Sequence, residues 1–347
     1  MLAAPTADAH PSPERRPARK KLMKLCPMLL NDINLEPASL QPCCDVHGCE
    51  VPAFPFSGGN VDMQAYAAHV AKSLRRLQEK DDRLCRGCPS LQEIPVAQVT
   101  DLKIKFKTVS INSHRYLCNC KCVYCELWKH RERGLGYPVL PVLKSLASQQ
   151  ALAANCFFSW GGGEPSILKD FEEASLWVTR RGFWQNVHTN ALRFSPAIAF
   201  LLQERRGEIN ISLDSGTAET YQKVKGVDGF AAVTKSLGRY AEAAGDAQAI
   251  SLKYIIFETN NSIPEITRFF DLCVQFGIKM VQFSLDFREV NGRGPSQKTL
   301  LAAAFFASRA AALGLQCTPF FIPPKYLENI ASLQQRFFAT QENLNEP

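Results

Sequence analysis

No stretch of this sequence stays apolar long enough to cross a membrane as a helix. The nearest candidate, Leu22 to Leu30, is broken by Lys24, Cys26 and Pro27 and runs into Asn31 and Asp32. It also lacks the clean apolar stretch and small-residue cleavage site of a secretory signal. These absences make the cytoplasm the expected compartment, where thiols stay reduced. Excess charge is scarce as well. More than half of the formal net charge of +7 comes from Arg15, Arg16, Arg19, Lys20, Lys21 and Lys24, which are offset nearby only by Asp8 and Glu14. The remainder is too small to line a nucleic-acid groove, so neither a membrane nor a nucleic acid is expected as partner.

What the chain does have is cysteine, 13 of them in 347 residues. Apolar residues at 46% and charged residues at 21% are ordinary for a soluble protein able to bury one large core and a smaller satellite. In a reducing compartment so many thiols need a reason other than disulfides, and metal or cluster binding is the leading one.

Composition divides the chain. Residues 1–22, rich in Ala, Pro and Arg and without periodicity, are expected to be a disordered basic tail. A cysteine-rich segment follows over 23–98. In it Ile33-Asn34-Leu35 alternates, Glu36-Pro37 breaks the chain, Ala38 to Gln41 returns as a second strand, and Ala65 to Leu77 forms a helix. From about residue 99 to 323, strands and helices alternate. Strand-like runs lie at Ile104–Ile111, Cys156–Trp160, Trp184–His188, Ile209–Leu213, Ile250–Phe257 and Met280–Phe287. Helical stretches separate them at Val139–Ala153, Leu168–Arg180, Ala197–Glu204, Phe230–Ala244 and Ile263–Phe276, with a last helix near Thr299–Leu313 and a strand at Leu315–Phe321. Residues 324–347 are expected to form a C-terminal helix and tail. This alternation implies an α/β fold with parallel pairing through right-handed crossovers, as a small sheet or a partial barrel. In either form the chemistry belongs at the carboxyl ends of the strands.

Directly after the first of these strands comes Cys118-Asn119-Cys120-Lys121-Cys122-Val123-Tyr124-Cys125. The spacing of Cys118, Cys122 and Cys125 lets one loop take three corners of an iron–sulfur cube. The fourth iron is then without a protein ligand, and an open coordination position is a reactive one. The alternative is a structural zinc held by all four cysteines, with Cys120 as the fourth ligand.

This cysteine spacing, with aromatic Tyr124 before the last cysteine, resembles the signature of the radical S-adenosylmethionine (SAM) superfamily. Gly161-Gly162-Gly163-Glu164-Pro165, after the second strand, is similar to the family's GGEP element, and glycines there would let main chain approach a ligand closely. Thr189-Asn190 resembles the family's TNG, with Ala191 in place of glycine. Ile211-Ser212-Leu213-Asp214 resembles its fourth-strand element, and Lys253 and Asn260 lie where strand five and its loop face the cofactor. The resemblance covers roughly residues 100–290. It implies a partial (β/α)6 parallel barrel beside a small N-terminal cysteine-rich α+β domain. It also implies an enzyme with a [4Fe–4S] cluster and S-adenosylmethionine as cofactors, reduced by a flavodoxin- or ferredoxin-type donor. Its activity would be reductive cleavage of S-adenosylmethionine to a 5′-deoxyadenosyl radical that abstracts hydrogen from a substrate. The implied cofactor contacts are Gly161, Gly162, Gly163, Glu164, Asn190, Ser212, Asp214 and Lys253.

Cys26, Cys43, Cys44, Cys49, Cys85 and Cys88 form a second group, in which Cys85-Arg86-Gly87-Cys88 is a chelating knuckle. Their order resembles a SPASM-type auxiliary-cluster region, although that region normally follows the radical domain and here precedes it. Cys26, Cys43, Cys85 and Cys88 are the expected ligands of an auxiliary [4Fe–4S] cluster or a zinc, with Cys44 or Cys49 as substitutes. Cys156, Cys273 and Cys317 sit in apolar settings and are expected to be packed side chains. His188, at a strand end, is a packed residue or a substrate contact. SPASM-type relatives point to a peptide or protein substrate; a sugar, lipid or other small metabolite is the alternative. A non-catalytic iron–sulfur or zinc protein is the rival from another class.

Overall fold

The computed structural model describes residues 22–43, 51–79, 84–85, 87–96, 103–134, 136–245 and 247–344. Residues 1–21, Cys44, Cys49 and Arg86 lie outside these ranges, and with them most of the expected basic tail. The strands are β1 (Leu22–Leu25), β2 (Asp32–Glu36), β3 (Ser39–Gln41), β4 (Phe54–Pro55), β5 (Gln92–Pro95), β6 (Phe106–Ile111), β7 (Leu152–Trp160), β8 (Trp184–Thr189), β9 (Gly207–Ser212), β10 (Ile250–Ile256), β11 (Met280–Leu285) and β12 (Gln316–Pro319).

Ten of them form one sheet in the order β12-β11-β10-β9-β8-β7-β6-β2-β3-β4, while β1 and β5 pair separately and antiparallel. From β12 across to β2 every pairing is parallel, and only β3 and β4 are added antiparallel. The α/β alternation therefore gives the expected parallel sheet, open between β12 and β4 among the described residues. One pairing was not legible beforehand. The hairpin of the cysteine-rich segment joins the edge of this sheet, Ile33 standing opposite Val109 and Leu35 opposite Ile111.

Helices cover the outer face because each carries an apolar stripe against the strands. Helix Ile263–Gln275 starts where Ser262 caps it and Pro264 occupies its first turn, and it buries Ile266, Phe269, Phe270 and Cys273. Phe269, Phe270 and Phe306 meet with ring centroids 4.7–5.5 Å apart. Truncating one of these to alanine would cost about 3–5 kcal/mol. Helix Val139–Ser148 ends earlier than the expected Ala153, because Gln150 turns left-handed at φ 53° and Leu152 already begins β7. Helix Ala218–Lys225 was not anticipated. Among the described residues no helix is long and apolar enough to cross a membrane.

The concave face is hydrophilic. Alternation puts Asn186 and His188 of β8, Glu208, Asn210 and Ser212 of β9, Lys253 of β10 and Gln282 of β11 on the same side. Asn210 donates to Asn186 Oδ1 at 2.9 Å and accepts from Gln282 Nε2 at 3.0 Å, so β9 is linked across that face to its neighbour β8 and, over β10, to β11.

Candidate active site

Beyond Ile111 the chain leaves β6 in two tight turns, Arg115 N to Asn112 O at 2.9 Å and Leu117 N to His114 O at 2.8 Å, and delivers Cys118 to the carboxyl end of the sheet. The cysteine loop is then tied by its carbonyls. Arg131 Nη2 donates to Cys118 O at 2.7 Å, Trp128 Nε1 to Cys122 O at 3.2 Å and Arg288 Nη1 to Val123 O at 2.8 Å. None of these three side chains was singled out from the sequence, since nothing local marks a donor that acts across such separations.

Cys118, Cys122 and Cys125 are half-buried, whereas Cys120 is buried. Cys120 N donates to Cys118 Sγ at 3.4 Å, and the pKa of the Cys120 thiol is pushed up, first by its side-chain hydrogen bond with Cys118, then by Cys122 and by burial. The side-chain bond with Cys120 is the main cause holding the Cys118 thiol below its ordinary range. For Cys122 the bond with Cys120 again leads, the charge of Lys225 adds to it, and the thiol falls to about 6. Burial instead pushes Cys125 up. Three half-buried thiols on one loop, two of them held low, are a donor set that fits an iron–sulfur group. Among the described residues no three His, Cys, Asp or Glu side chains converge as a one-ion site requires. A cube, whose ligands bind different irons, makes no such demand.

The glycine run also packs chain against chain. A Cβ on Gly163 would stand 2.1 Å from Leu117 O and 2.4 Å from His114 O, and one on Gly162 3.0 Å from Arg115 Cα. These glycines let the main chain press against the loop that leads to Cys118, and Glu164 N seals the contact by donating to Leu117 O at 2.8 Å. Glu164 itself is 1% exposed. Its Oε1 accepts from Thr189 Oγ1 at 2.7 Å and Ser166 N at 3.1 Å, and its Oε2 from Asn190 N at 2.7 Å. Burial raises its pKa, against these bonds. The loops after β7 and β8 are thus joined through one carboxylate.

Asn190 Nδ2 donates to Asn119 Oδ1 at 2.7 Å and lies 3.9 Å from Cys118 Sγ. Ala191 takes φ 54°, the left-handed region that glycine occupies more easily, which accounts for glycine in the family element at this place. Ser212 ends β9 half-buried, directly opposite Lys253 in the register. The Lys253 ammonium lies 5.0 Å from the Phe320 ring centroid, and burial lowers its pKa. Burial, then the charge of Lys253, lowers that of His188.

Asp214 departs from expectation. Its side chain is fully buried and turned inward. Oδ2 accepts from Tyr124 Oη at 2.6 Å and pairs with Lys225 Nζ, while Oδ1 accepts from Ile255 N at 2.7 Å. The cause is the backbone: φ 55° at Asp214 rotates the carboxylate away from the concave face on which Ser212 lies. Asn260 is likewise spent internally, on Asp214 O at 2.9 Å and Ile255 O at 2.8 Å. Lys225 was missed because its helix was missed. The signals were there, namely Thr217 as cap and Gly226 as left-handed stop.

In the cysteine-rich segment Cys26, Cys43 and Cys85 are buried and Cys88 is half-buried. Cys88 N donates to Cys85 O at 3.1 Å, closing the knuckle, and burial pushes the Cys26 thiol up. Cys156 and Cys273 are buried and Cys317 half-buried, each pushed by burial up to about 12, as packed thiols are.

Residues 112–270 match the sequence model of the Radical SAM superfamily. Mycofactocin maturase MftC of Mycobacterium ulcerans (strain Agy99) is 29% identical over 163 residues, covering 47% of this chain and 43% of the relative. A probable GTP 3′,8-cyclase of Saccharolobus islandicus is 23% identical over 172 residues, covering 48% and 53%. The match thus spans only about half the length of these relatives. Among solved structures, Streptococcus suis SuiB bound to precursor peptide SuiA has a TM-score of 0.48 at 15% identity, over 77% of this chain and 57% of that one. anSMEcpe with bound AdoMet has a TM-score of 0.48 at 16% identity, over 62% and 64%. The cysteine loop and the glycine run both lie inside residues 112–270, the stretch that is similar to the Radical SAM superfamily.

Proposed function

We propose that the chain is a radical SAM enzyme in which Cys118, Cys122 and Cys125 ligate a [4Fe–4S] cluster with one open iron. The observation that carries this is the cysteine loop, which presents three half-buried thiols at the carboxyl end of β6 with Asn190 Nδ2 3.9 Å from Cys118 Sγ. When bound, the cluster and S-adenosylmethionine supply a 5′-deoxyadenosyl radical able to take hydrogen from an unactivated carbon.

The chain's own part is to hold and shield. Gly161, Gly162, Gly163 and Glu164 form the wall on the methionyl amino side. Among the described residues Glu164 Oε2 accepts one bond, from Asn190 N, which leaves a lone pair for an ammonium donor. Ser212 and Lys253, facing one another on β9 and β10, are the hydroxyl and the cation suited to the ribose and the carboxylate. Asn190 orients Asn119 and approaches the Cys118 sulfur. The Asp214 carboxylate is not among the cofactor contacts.

The substrate we infer is a peptide or protein. Support comes from the relatives named as maturases and from the SPASM-like order of cysteines in the N-terminal segment. In that segment Cys26, Cys43, Cys85 and Cys88 are proposed to hold an auxiliary cluster, since the same lack of a one-ion site among the described residues does not favour the zinc alternative. A low-potential donor of flavodoxin or ferredoxin type supplies the electron. The test is oxygen-free reconstitution with iron and sulfide, followed by dithionite and S-adenosylmethionine. The wild type should release 5′-deoxyadenosine, and Cys122→Ala, checked for folding, should not. A fully reconstituted wild type that forms none would leave a non-catalytic cluster protein as the better reading.

A further inference from the structure

Lys225 has no part in the reading above, yet its ammonium is buried directly beneath the cysteine loop. It ends helix Ala218–Lys225 with its side chain 1% exposed, pairs with the 0% exposed carboxylate of Asp214, and donates to Tyr124 Oη at 3.0 Å. Tyr124, between Cys122 and Cys125, itself donates to Asp214 Oδ2 at 2.6 Å. The main chain repeats the attachment, with Lys121 N donating to Lys225 O at 2.8 Å and Val123 N to Val224 O at 3.0 Å. Gly226 permits the close fit, since a Cβ there would stand 2.7 Å from Lys121 O. The cysteine loop therefore rests on the end of this helix through two backbone bonds and one buried three-membered side-chain network.

Packing alone does not call for such a network. Apolar side chains of similar volume usually hold a loop as well as a buried ion pair does, because desolvating the pair offsets its attraction. The ammonium is also fixed beside the cysteines by geometry, since it reaches Tyr124 Oη, between Cys122 and Cys125, at 3.0 Å, and its own main chain holds Lys121 N at 2.8 Å. A fixed positive charge near an iron–sulfur group favours the reduced, more negative state, and net charge around the cluster is one of the determinants of its potential.

We propose that Lys225 is a positioning residue for the cluster, fixing the cysteine loop together with Asp214 and Tyr124 and holding one positive charge near Cys122 that makes the cluster easier to reduce. This rests on the reading of Cys118, Cys122 and Cys125 as cluster ligands. The experiment is a redox titration followed by electron paramagnetic resonance on reconstituted full-length wild type, Lys225→Met, Lys225→Arg and Asp214→Asn, with iron counted in each. At a fixed applied potential the ratio of reduced to oxidised cluster should fall at least about tenfold in Lys225→Met, equivalent to a shift of about −59 mV for one electron. Lys225→Arg, which keeps the charge, should stay within about threefold of wild type. Asp214→Asn leaves the ammonium without its counter-charge and should move the ratio the opposite way. Opposite signs are the mark of a charge effect, because a merely loosened loop would move both variants alike or shed iron from both.

An unmoved potential in Lys225→Met, or a shift of the same sign in both variants, overturns the proposal. If Lys225→Met takes up no iron, Asp214→Asn decides alone, and no change or a fall in its ratio is the overturning result. A wild type that binds no reducible four-iron cluster would instead refute the functional reading, which keeps the two failures distinct.

Discussion

Gly163→Ala is the sharpest test of how the cysteine loop is positioned. The added methyl would stand 2.1 Å from Leu117 O and 2.4 Å from His114 O, both main-chain atoms that no side-chain rotation can move aside. Relief requires the loop carrying Cys118 to retreat by roughly 1 Å, an overpacking cost of about 1–3 kcal/mol. The retreat also strains the 2.8 Å bond from Glu164 N to Leu117 O, a further loss of about 0.5–1.5 kcal/mol. At roughly 2 °C per kcal/mol for a protein of this size or somewhat smaller, the apo-protein should melt about 3–9 °C lower. Iron uptake should fall with it. Gly161→Ala is the control, because its Cβ would meet only the Asn112 side chain, at 3.2 Å, and it should shift melting by less than about 2 °C. The two are compared by calorimetry on apo-protein and by iron analysis after reconstitution. Gly163→Ala melting within 1 °C of wild type with full iron would refute the argument that the glycine run fits chain to chain.

Cys120→Ser should retain about four irons at the radical site while Cys122→Ser loses most of them, which colorimetric iron counting can read; equal losses would restore Cys120 as a ligand. Lys253→Met removes a charge-assisted contact worth about 1.5–3 kcal/mol and should weaken S-adenosylmethionine binding about 10- to 100-fold by calorimetric titration. Unchanged binding would free Lys253 for another role. The double substitution Cys85→Ala, Cys88→Ala should leave the radical-site irons in place and remove about four further irons, as elemental analysis will show. No change in metal content would end the proposal of an auxiliary site.

The strands that carry the site were legible because buried parallel strands appear as short apolar runs, and β7 through β11 begin or end within a few residues of those runs. The cysteine loop was equally plain, its spacing being local. What escaped was whatever depends on the direction a side chain takes after a turn. Ser212 and Asp214 look alike in sequence as polar residues two apart at a strand end. Yet φ 55° at Asp214 turns its carboxylate into the core, toward a lysine on an unrecognised helix. Glu164 shows the same effect, its oxygens taken by Thr189 and Asn190, 25 and 26 residues on. The parallel pairing of β2 with β6 joins residues more than seventy positions apart, and nothing in either segment states its partner.

The central claim is a cluster held by three cysteines, with its remaining iron free to bind the amino and carboxylate groups of S-adenosylmethionine. The direct measurement is the electron paramagnetic resonance spectrum of the dithionite-reduced, reconstituted wild type before and after adding that compound. The account predicts a changed signal that carries hyperfine coupling from 15N or 17O placed in the methionyl group. A signal identical with and without the compound, from a fully reduced and correctly loaded cluster, would contradict it.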